Sequence, residues 1–315
     1  MIKQITTQEW KKISYAELGL NQEQAKSFKN FLEDKGLTTA LDFQLDGIKT
    51  EAYVGTIRFA DFQLNILPKI IGENDSSCLE NLMFMLRYTK KLEIHTIDSA
   101  EISKTKQPFL EILIAHYANI LLNALQRHIP HHYETKEENL SAVRGRILFA
   151  ENQLVNMGNL ARVYCQFDEF TSDNLLNQTF KFVAQALCLL TAVPATRARL
   201  NKILAIYEDV ELRAISYAQA KKILLNRNQL IFKDVLDLAL LFLQHSTISL
   251  HNKTFTNLAI LFDMNKLFEE FVATALEKAF PGQVQTQKSL TIIDSIGGYT
   301  NTSYSLRPDI LFRND

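Results

Sequence analysis

Arg307-Pro308-Asp309 runs directly into Ile310-Leu311-Phe312. A carboxylate at the start of a buried strand is suited to a hard cation such as Mg²⁺, which takes oxygen ligands and keeps positions for water and phosphate. Phosphodiester hydrolysis also asks for a second acidic ligand and a lysine on an adjacent strand, the lysine to orient water and offset charge developing on the phosphate. Only Ile310, Leu311, Phe312, Arg313, Asn314 and Asp315 follow Asp309, so no D-x-K pattern follows it. Taken alone, Pro-Asp before an apolar run reads as a turn and a strand start. Glu269 and Glu270 precede it in an apolar-periodic segment. Glu269 could approach a metal near Asp309, or the two are an exposed helical pair.

Three other polar constellations invite chemistry. In Val143-Arg144-Gly145-Arg146-Ile147, two guanidiniums flank a permissive backbone position. They could bind phosphate or a partner's carboxylate, or be solvated side chains of a turn. Asp168, Glu169 and Asp173 cluster before a long apolar-periodic stretch. They could do acid–base work, but capping of the following helix is the preferred reading, because acidic side chains favour a helix N-terminus. His128, His131 and His132 follow no metal-ligand spacing, and Pro130 interrupts them. They read as a loop. No Walker-type phosphate loop is present, so the chain is expected to bind no nucleotide by itself.

The chain of 315 residues has room for about two domains. With 47% hydrophobic and 22% charged residues it has the composition of a folded globular protein. Lys and Arg number 34 against 35 Asp and Glu. Any contact with nucleic acid must then come from a local basic patch rather than from overall charge. Three cysteines form neither a zinc pattern nor an even set for disulfides. Residues 1–15 have no apolar core of the signal-peptide kind, and apolar runs such as 235–243 are too short to span a bilayer. A cytoplasmic protein with no membrane partner is expected.

Ten glycines and six prolines in the whole chain favour long helices. The first hundred residues are the exception. Phe62, Leu64 and Ile66 alternate with Gln63 and Asn65, and 52–59 precedes them across Ala60-Asp61, which predicts a β-hairpin ended by Pro68. A helix is expected near 21–35. Further helices are expected over 78–89, from Pro108 onward until Pro130, after Asp173, over 196–208 and over 216–245. Leu267, Phe268, Phe271, Val272, Ala275, Leu276 and Ala279 form one apolar face of a helix over 262–280, capped by Asp263 or Asn265 and ended by Pro281-Gly282. Strands 283–293 and 304–312 follow, around Gly297-Gly298. The fold class is α+β: a β-rich N-terminal domain over 1–100, a mostly helical domain over 101–256, and a helix–strand–strand section over 257–315.

VGTIRF and LNILPKI, VRGRI, VYCQFDEFTSDNLLNQ, LFDMNKLFEEFV and LRPDILF occur in that order from residue 50 to the end. Together they resemble the McrC family, the nuclease subunit of the McrBC 5-methylcytosine-specific restriction system. The resemblance implies an N-terminal region that docks into a hexamer of a McrB-like AAA+ GTPase and stimulates GTP hydrolysis. It also implies a C-terminal PD-(D/E)XK nuclease that cuts double-stranded methylated DNA with Mg²⁺. On that pattern Asp309 matches the family's first metal-binding aspartate, and 257–315 matches the start of the nuclease core. The D-x-K strand and the later helix and strand of that core are missing here. The expectation is therefore a C-terminally truncated nuclease that holds Mg²⁺ weakly and does not cleave alone, leaving an exposed edge at 306–312.

The alternative is a non-catalytic regulator of the GTPase ring. In that reading Arg58 on the hairpin, Arg144 or Arg146 reaches a nucleotide site in trans. The plainest alternative is a helical scaffold whose likeness is structural only.

Overall fold

The computed structural model describes every residue except Met1, 71–73, 90–106, 250–252, 287, 289, 295–301 and 313–315. The expected Gly297-Gly298 turn lies outside the described residues. The first strands are β1 (Lys3–Gln8), β2 (Lys12–Ser14), β3 (Leu41–Phe43), β4 (Gly47–Thr50), β5 (Tyr53–Phe59) and β6 (Phe62–Leu67). Next come β7 (His132–Leu140), β8 (Arg146–Ile147), β9 (Val163–Thr171) and β10 (Ser246–Ser249). The last are β11 (Thr254–Asp263), β12 (Val284–Thr286), β13 (Leu290–Asp294), β14 (Thr302–Leu306) and β15 (Ile310–Phe312). Two compact units result, one of residues 1–112 with 257–315 and the other of residues 113–256.

In the first unit, β5 and β6 form the expected hairpin, with Phe59 opposite Phe62. β1 adds to β6 in parallel, and β11 pairs antiparallel with β5, Ile260 opposite Thr56. The last section therefore does not begin as a separate body. It enters through a strand that the sequence reading did not foresee, because Leu258, Ala259, Ile260 and Leu261 are all buried against the N-terminal sheet. Gly55 permits that approach: its φ is +137°, and a Cβ there would meet the Ile260 carbonyl oxygen at 2.1 Å.

The helix Gln22–Asp34 covers one face of the sheet. Asn21 caps it, its Oδ1 accepting from the Gln24 amide at 2.8 Å while the Gln24 Oε1 accepts from the Asn21 amide at 3.0 Å. Its Phe28 is fully buried, with ring centroids 5.0 Å from Phe59 and 5.4 Å from Phe62. All six residues of β6 are buried, so the alternating Gln63 and Asn65 are not solvated. They satisfy each other: Gln63 Nε2 donates to Asn65 Oδ1 at 3.1 Å, and Thr56 Oγ1 donates to the same atom at 2.9 Å. The helix Met264–Ala279 follows β11 directly. Asp263 caps it, as expected, accepting from the amides of Asn265 and Lys266 at 3.1 and 3.3 Å.

The two expected C-terminal strands pair antiparallel in one register: β12 with β15, Thr286 opposite Ile310, and β13 with β14, Leu290 opposite Leu306. β15 is half-buried to exposed rather than buried, with Phe312 46% exposed.

The helices expected in the second unit are joined by a sheet that was not foreseen. A three-stranded antiparallel sheet, ordered β7-β9-β8, lies among its helices. The helix Leu175–Leu190, expected after Asp173, buries Leu176, Phe180, Val183 and Leu187, which recur at helical spacing. Tyr117 Oη donates to the Phe180 carbonyl at 3.1 Å. The single helix expected over 216–245 is three pieces: one turn at Tyr217–Ala220, a 3₁₀ segment at Arg227–Phe232, and the helix Lys233–His245. Side-chain caps at Ser216 and Asn226 start the first two pieces separately. The helix Phe109–Arg127 is long and apolar enough to cross a membrane by length and composition, contrary to the expectation that no segment is. Its most apolar window is 67% buried inside the protein, as a core helix would be.

Replacing Gly55 with Ala should cost about 2–3 kcal/mol, because it forces β11 away from β5. Gly36→Ala, also at positive φ but with open space around it, should cost about 1 kcal/mol. Urea denaturation of both variants checks this; equal costs would mean that the β5–β11 approach is not tight.

Burial lowers the His116 pKa from 6.5 to about 4, so the folded chain keeps this imidazole neutral. Between those values the unfolded chain binds more protons, so stability present above about pH 6.5 is lost as pH falls toward about 4. The shift corresponds to a loss of about 3 kcal/mol. Denaturation of His116→Leu at about pH 7 and about pH 4.5 should show that part of the pH dependence removed.

Candidate functional site

In the second unit the β7-β9-β8 sheet carries Arg144 and Arg146. β7 and β9 pair over their whole length, from His132 opposite Thr171 to Leu140 opposite Val163. β8 adds to the other edge of β9, Arg146 opposite Gln166. Successive side chains of a strand point to opposite faces, so Gln166 of β9 faces one way and Phe167 and Glu169 the other, and the two arginines, on either side of the Gly145 turn, contact opposite faces. The Arg144 guanidinium lies over the Phe167 ring at 4.0 Å, with Nη1 3.7 Å from Glu169 Oε1. Arg146 instead donates from Nη2 to Gln166 Oε1 at 3.0 Å, and Gln166 Nε2 donates to Glu137 Oε1 at 2.9 Å. The expected pair of converging guanidiniums is thus split between contacts with odd-numbered and even-numbered residues of β9. Gly145 makes the turn between them at φ +67°, where a Cβ would come 2.3 Å from the Gln166 carbonyl oxygen.

On the Arg144 side the charges form a row. Lys136 Nζ pairs with the Glu169 carboxylate, which also faces Arg144. The hydrogen bond from Lys136 holds the Glu169 carboxyl below the usual range, helped by the Lys136 and Arg144 charges. The Lys136 ammonium is correspondingly raised. Tyr133 of β7 and Phe170 of β9 are more than half exposed, and so, in the stretch that joins β7 to β9, are Val143, Phe149, Leu154 and Met157, with Leu160 fully so.

Asp168 and Glu169, expected to cap a helix, lie on β9 instead. Thr135 Oγ1 donates to Asp168 Oδ1 at 2.7 Å across the strands. The helix is capped by Asn174, whose Oδ1 accepts from the Asn177 amide at 3.0 Å. Asp173 braces the turn before it, accepting from Gln178 Nε2 at 2.8 Å and from the Glu211 amide at 3.0 Å. His132 opens β7, and the His131 ring stacks on Phe170 at 4.6 Å. Sequence reasoning missed this sheet. Its signal was the β-branched and aromatic content of VYCQFDEFT, overlooked beside the more conspicuous carboxylates.

In the first unit Arg58 sits on β5, opposite Gln63 of β6 and Leu258 of β11. It is half-buried, and that desolvation lowers the guanidinium pKa against the opposing charge of buried Glu111. Asp309 is exposed in the bend before β15. Glu269 is half-buried on the helix Met264–Ala279, where it lines an open groove of about 850 Å³ with Thr89, Lys266, Glu270, Glu277 and Lys278. Asp309 is not among the groove's lining residues. Among the described residues no three His, Cys, Asp or Glu side chains come together as a metal set. The described donors therefore do not by themselves make a cage for Mg²⁺, which prefers several oxygen ligands in octahedral geometry.

The α+β fold, with its inserted second unit, has relatives. The family described as McrBC 5-methylcytosine restriction system component matches residues 48–315. The chain belongs to this family, as an McrC-family protein. Its fold is similar to a chain of the Thermococcus gammatolerans assembly of McrB AAA+ hexamers with bound McrC, at 18% identity and a TM-score of 0.75. That likeness covers 99% of this chain and 77% of the other. A second structure, the Thermococcus gammatolerans McrBC complex, is similar at 20% identity and a TM-score of 0.66, covering 87% of each chain. No curated protein matches the chain.

Replacing Lys136 with Ala should let the Glu169 carboxyl rise back toward its ordinary value. A side-chain carbon NMR titration of Glu169 measures this directly; an unmoved titration would mean that the pair does not form in solution.

Proposed function

We propose that this chain is the McrC-type subunit of a modified-DNA restriction system, docking on a McrB-like AAA+ GTPase hexamer and raising its GTP turnover. The observation that carries the reading is the β7-β9-β8 sheet in a chain of this family. Its strands expose Tyr133 and Phe170, the stretch that joins β7 to β9 exposes further apolar side chains between Val143 and Leu160, and exposed apolar surface of this kind suits a partner, beside an arginine at a tight turn. Arg144 is the candidate to act at the ring's nucleotide site in trans, where a guanidinium offsets charge developing on the transferred phosphoryl group. Arg146 is tied to Gln166 on the other side and would orient the turn. Arg58, half-buried beside Glu111, would hold the sheet of the first unit rather than reach a partner. Cys78, Cys165 and Cys188 form no disulfide among the described residues, which suits a reducing cytoplasm, a part of the proposal.

Cleavage of double-stranded methylated DNA is the other half of the family's work. Asp309 and Glu269 are the carboxylates this chain would offer to Mg²⁺. They make no set of three with any other described His, Cys, Asp or Glu. That observation favours a second reading, in which this chain acts as a regulator of the ring and does not cut by itself.

One set of assays separates the possibilities. Added to its cognate ring, the chain should raise GTP turnover, and Arg144→Ala should cut that stimulation at least about tenfold while ring binding persists. Unchanged GTP turnover with the wild-type chain would remove the docking proposal. Methylated duplex incubated with ring, chain, GTP and Mg²⁺ tests the other half. Cleavage lost in Asp309→Asn supports the carboxylate assignment, cleavage that survives it sinks that assignment, and stimulation without cleavage leaves the regulator.

A further inference from the structure

We infer that the exposed segment 213–233 of the second unit is a contact surface for the phosphate backbone of duplex DNA, centred on Lys221, Lys222 and Arg227. The inference rests on the proposed DNA substrate and gives it a location. Overall the chain has no positive surplus, with 34 Lys and Arg against 35 Asp and Glu. Between Arg213 and Lys233 it has five cations and no carboxylate. A polyanion with a charge at every step is attracted by such a local surplus, through release of its condensed counterions.

The segment is held in place rather than trailing. Ile215, Ala220 and Phe232 are fully buried and pin it at three points. Between the last two, Lys221, Lys222 and Arg227 are exposed. Two reciprocal caps, Ser216 with Gln219 and Asn226 with Gln229, fix the one-turn helix and the 3₁₀ segment that frame them. A frame that is already ordered loses less entropy when it binds. Lys221 lies over the Tyr217 ring at 5.6 Å, and Lys233 pairs with Asp237 at 3.0 Å. Arg213, Lys222 and Arg227 form no ion pair among the described residues. A further cation joins from another part of the chain, since Lys253 Nζ donates to the Leu212 carbonyl at 2.7 Å, next to Arg213.

An anionic membrane also attracts cations beside exposed apolar side chains, and Leu224 is 90% exposed here. A membrane-surface element is ordinarily one continuous amphipathic helix with its apolar residues on one side. This segment is two separately capped short pieces, which favours a rigid polyanion as partner.

The test is the salt dependence of duplex binding by the full chain, read by fluorescence anisotropy with a labelled duplex of about 25 base pairs. The variant Lys221→Ala/Lys222→Ala/Arg227→Ala removes three cations, and Lys3→Ala/Lys11→Ala/Lys26→Ala removes three exposed ones from the first unit. The first variant should bind on the order of tenfold more weakly at low salt, with a log–log salt slope shallower by about 2 to 3. The second should match the wild type. Lys222→Glu alone should weaken binding in the same direction, and coincident thermal melts exclude unfolding as the cause. Wild-type affinity and slope in the first variant would overturn this inference alone. A wild-type chain that binds no duplex would overturn both it and the DNA substrate. Sedimentation with phosphatidylserine vesicles, lost in the first variant while duplex binding stays intact, would assign the surface to lipid and reject the inference.

Discussion

The β5–β11 pairing is the constraint on which the first unit depends. It joins residues about two hundred positions apart, Thr56 with Ile260 and Val54 with Phe262. Closing so long a loop costs little more than closing a shorter one, since the entropy grows only with the logarithm of length. What decides the pairing is local: four consecutive buried apolar residues on β11, and a glycine on β5 whose missing Cβ lets the two backbones meet. Asp263 then ends the strand and caps the helix that carries Glu269, while the Met264 amide donates to the Ala52 carbonyl at 2.8 Å. The start of that helix is thereby fixed to the N-terminal sheet.

In the second unit's sheet a turn at Gly145, set against the alternation of side chains along β9, decides where two arginines go. Arg144 and Arg146 are near neighbours in sequence, and a glycine between them suggests a single anion-binding fork. Once Arg146 is registered opposite Gln166, its side chain follows the even-numbered residues of β9. Arg144, one turn earlier, folds back over Phe167 and Glu169 on the odd-numbered side. One guanidinium is held by an amide, the other by an aromatic face and a shared carboxylate. Only the latter is paired directly with a carboxylate, and that asymmetry separates their proposed roles.

Electrostatics in this chain is local. The near-zero net charge conceals an acid-free basic segment at 213–233, a Lys136–Glu169–Arg144 row, and a groove lined by Glu269, Glu270 and Glu277 together with Lys266 and Lys278. Exposed pairs such as Lys12–Asp46, at 2.8 Å, add little to stability because water screens them. The uncharged buried trio Thr56, Gln63 and Asn65 matters more, since each polar atom left unpaired inside the sheet would carry a desolvation cost.

Much was legible in the amino-acid order alone. The period-two alternation of 62–66 and the turn at Ala60-Asp61 specified the hairpin. The helical spacing of Leu176, Phe180, Val183 and Leu187 specified a core helix, and Asp263 its neighbour's cap. Five motifs in order carried the family. These are local features, set by side-chain period and by hydrogen bonds spanning three or four residues. The fate of 254–263, of 132–140 and 163–171, and of Asp309 was decided elsewhere. A strand has no internal hydrogen bonds, so its existence depends on a partner that the sequence does not place beside it. Carboxylates that look clustered along the chain separate when a strand sends alternate residues to opposite faces. Whether Asp309 and Glu269 could share an ion depended on where β15 and the helix Met264–Ala279 were carried by the sheets they join, and no local pattern encodes that distance.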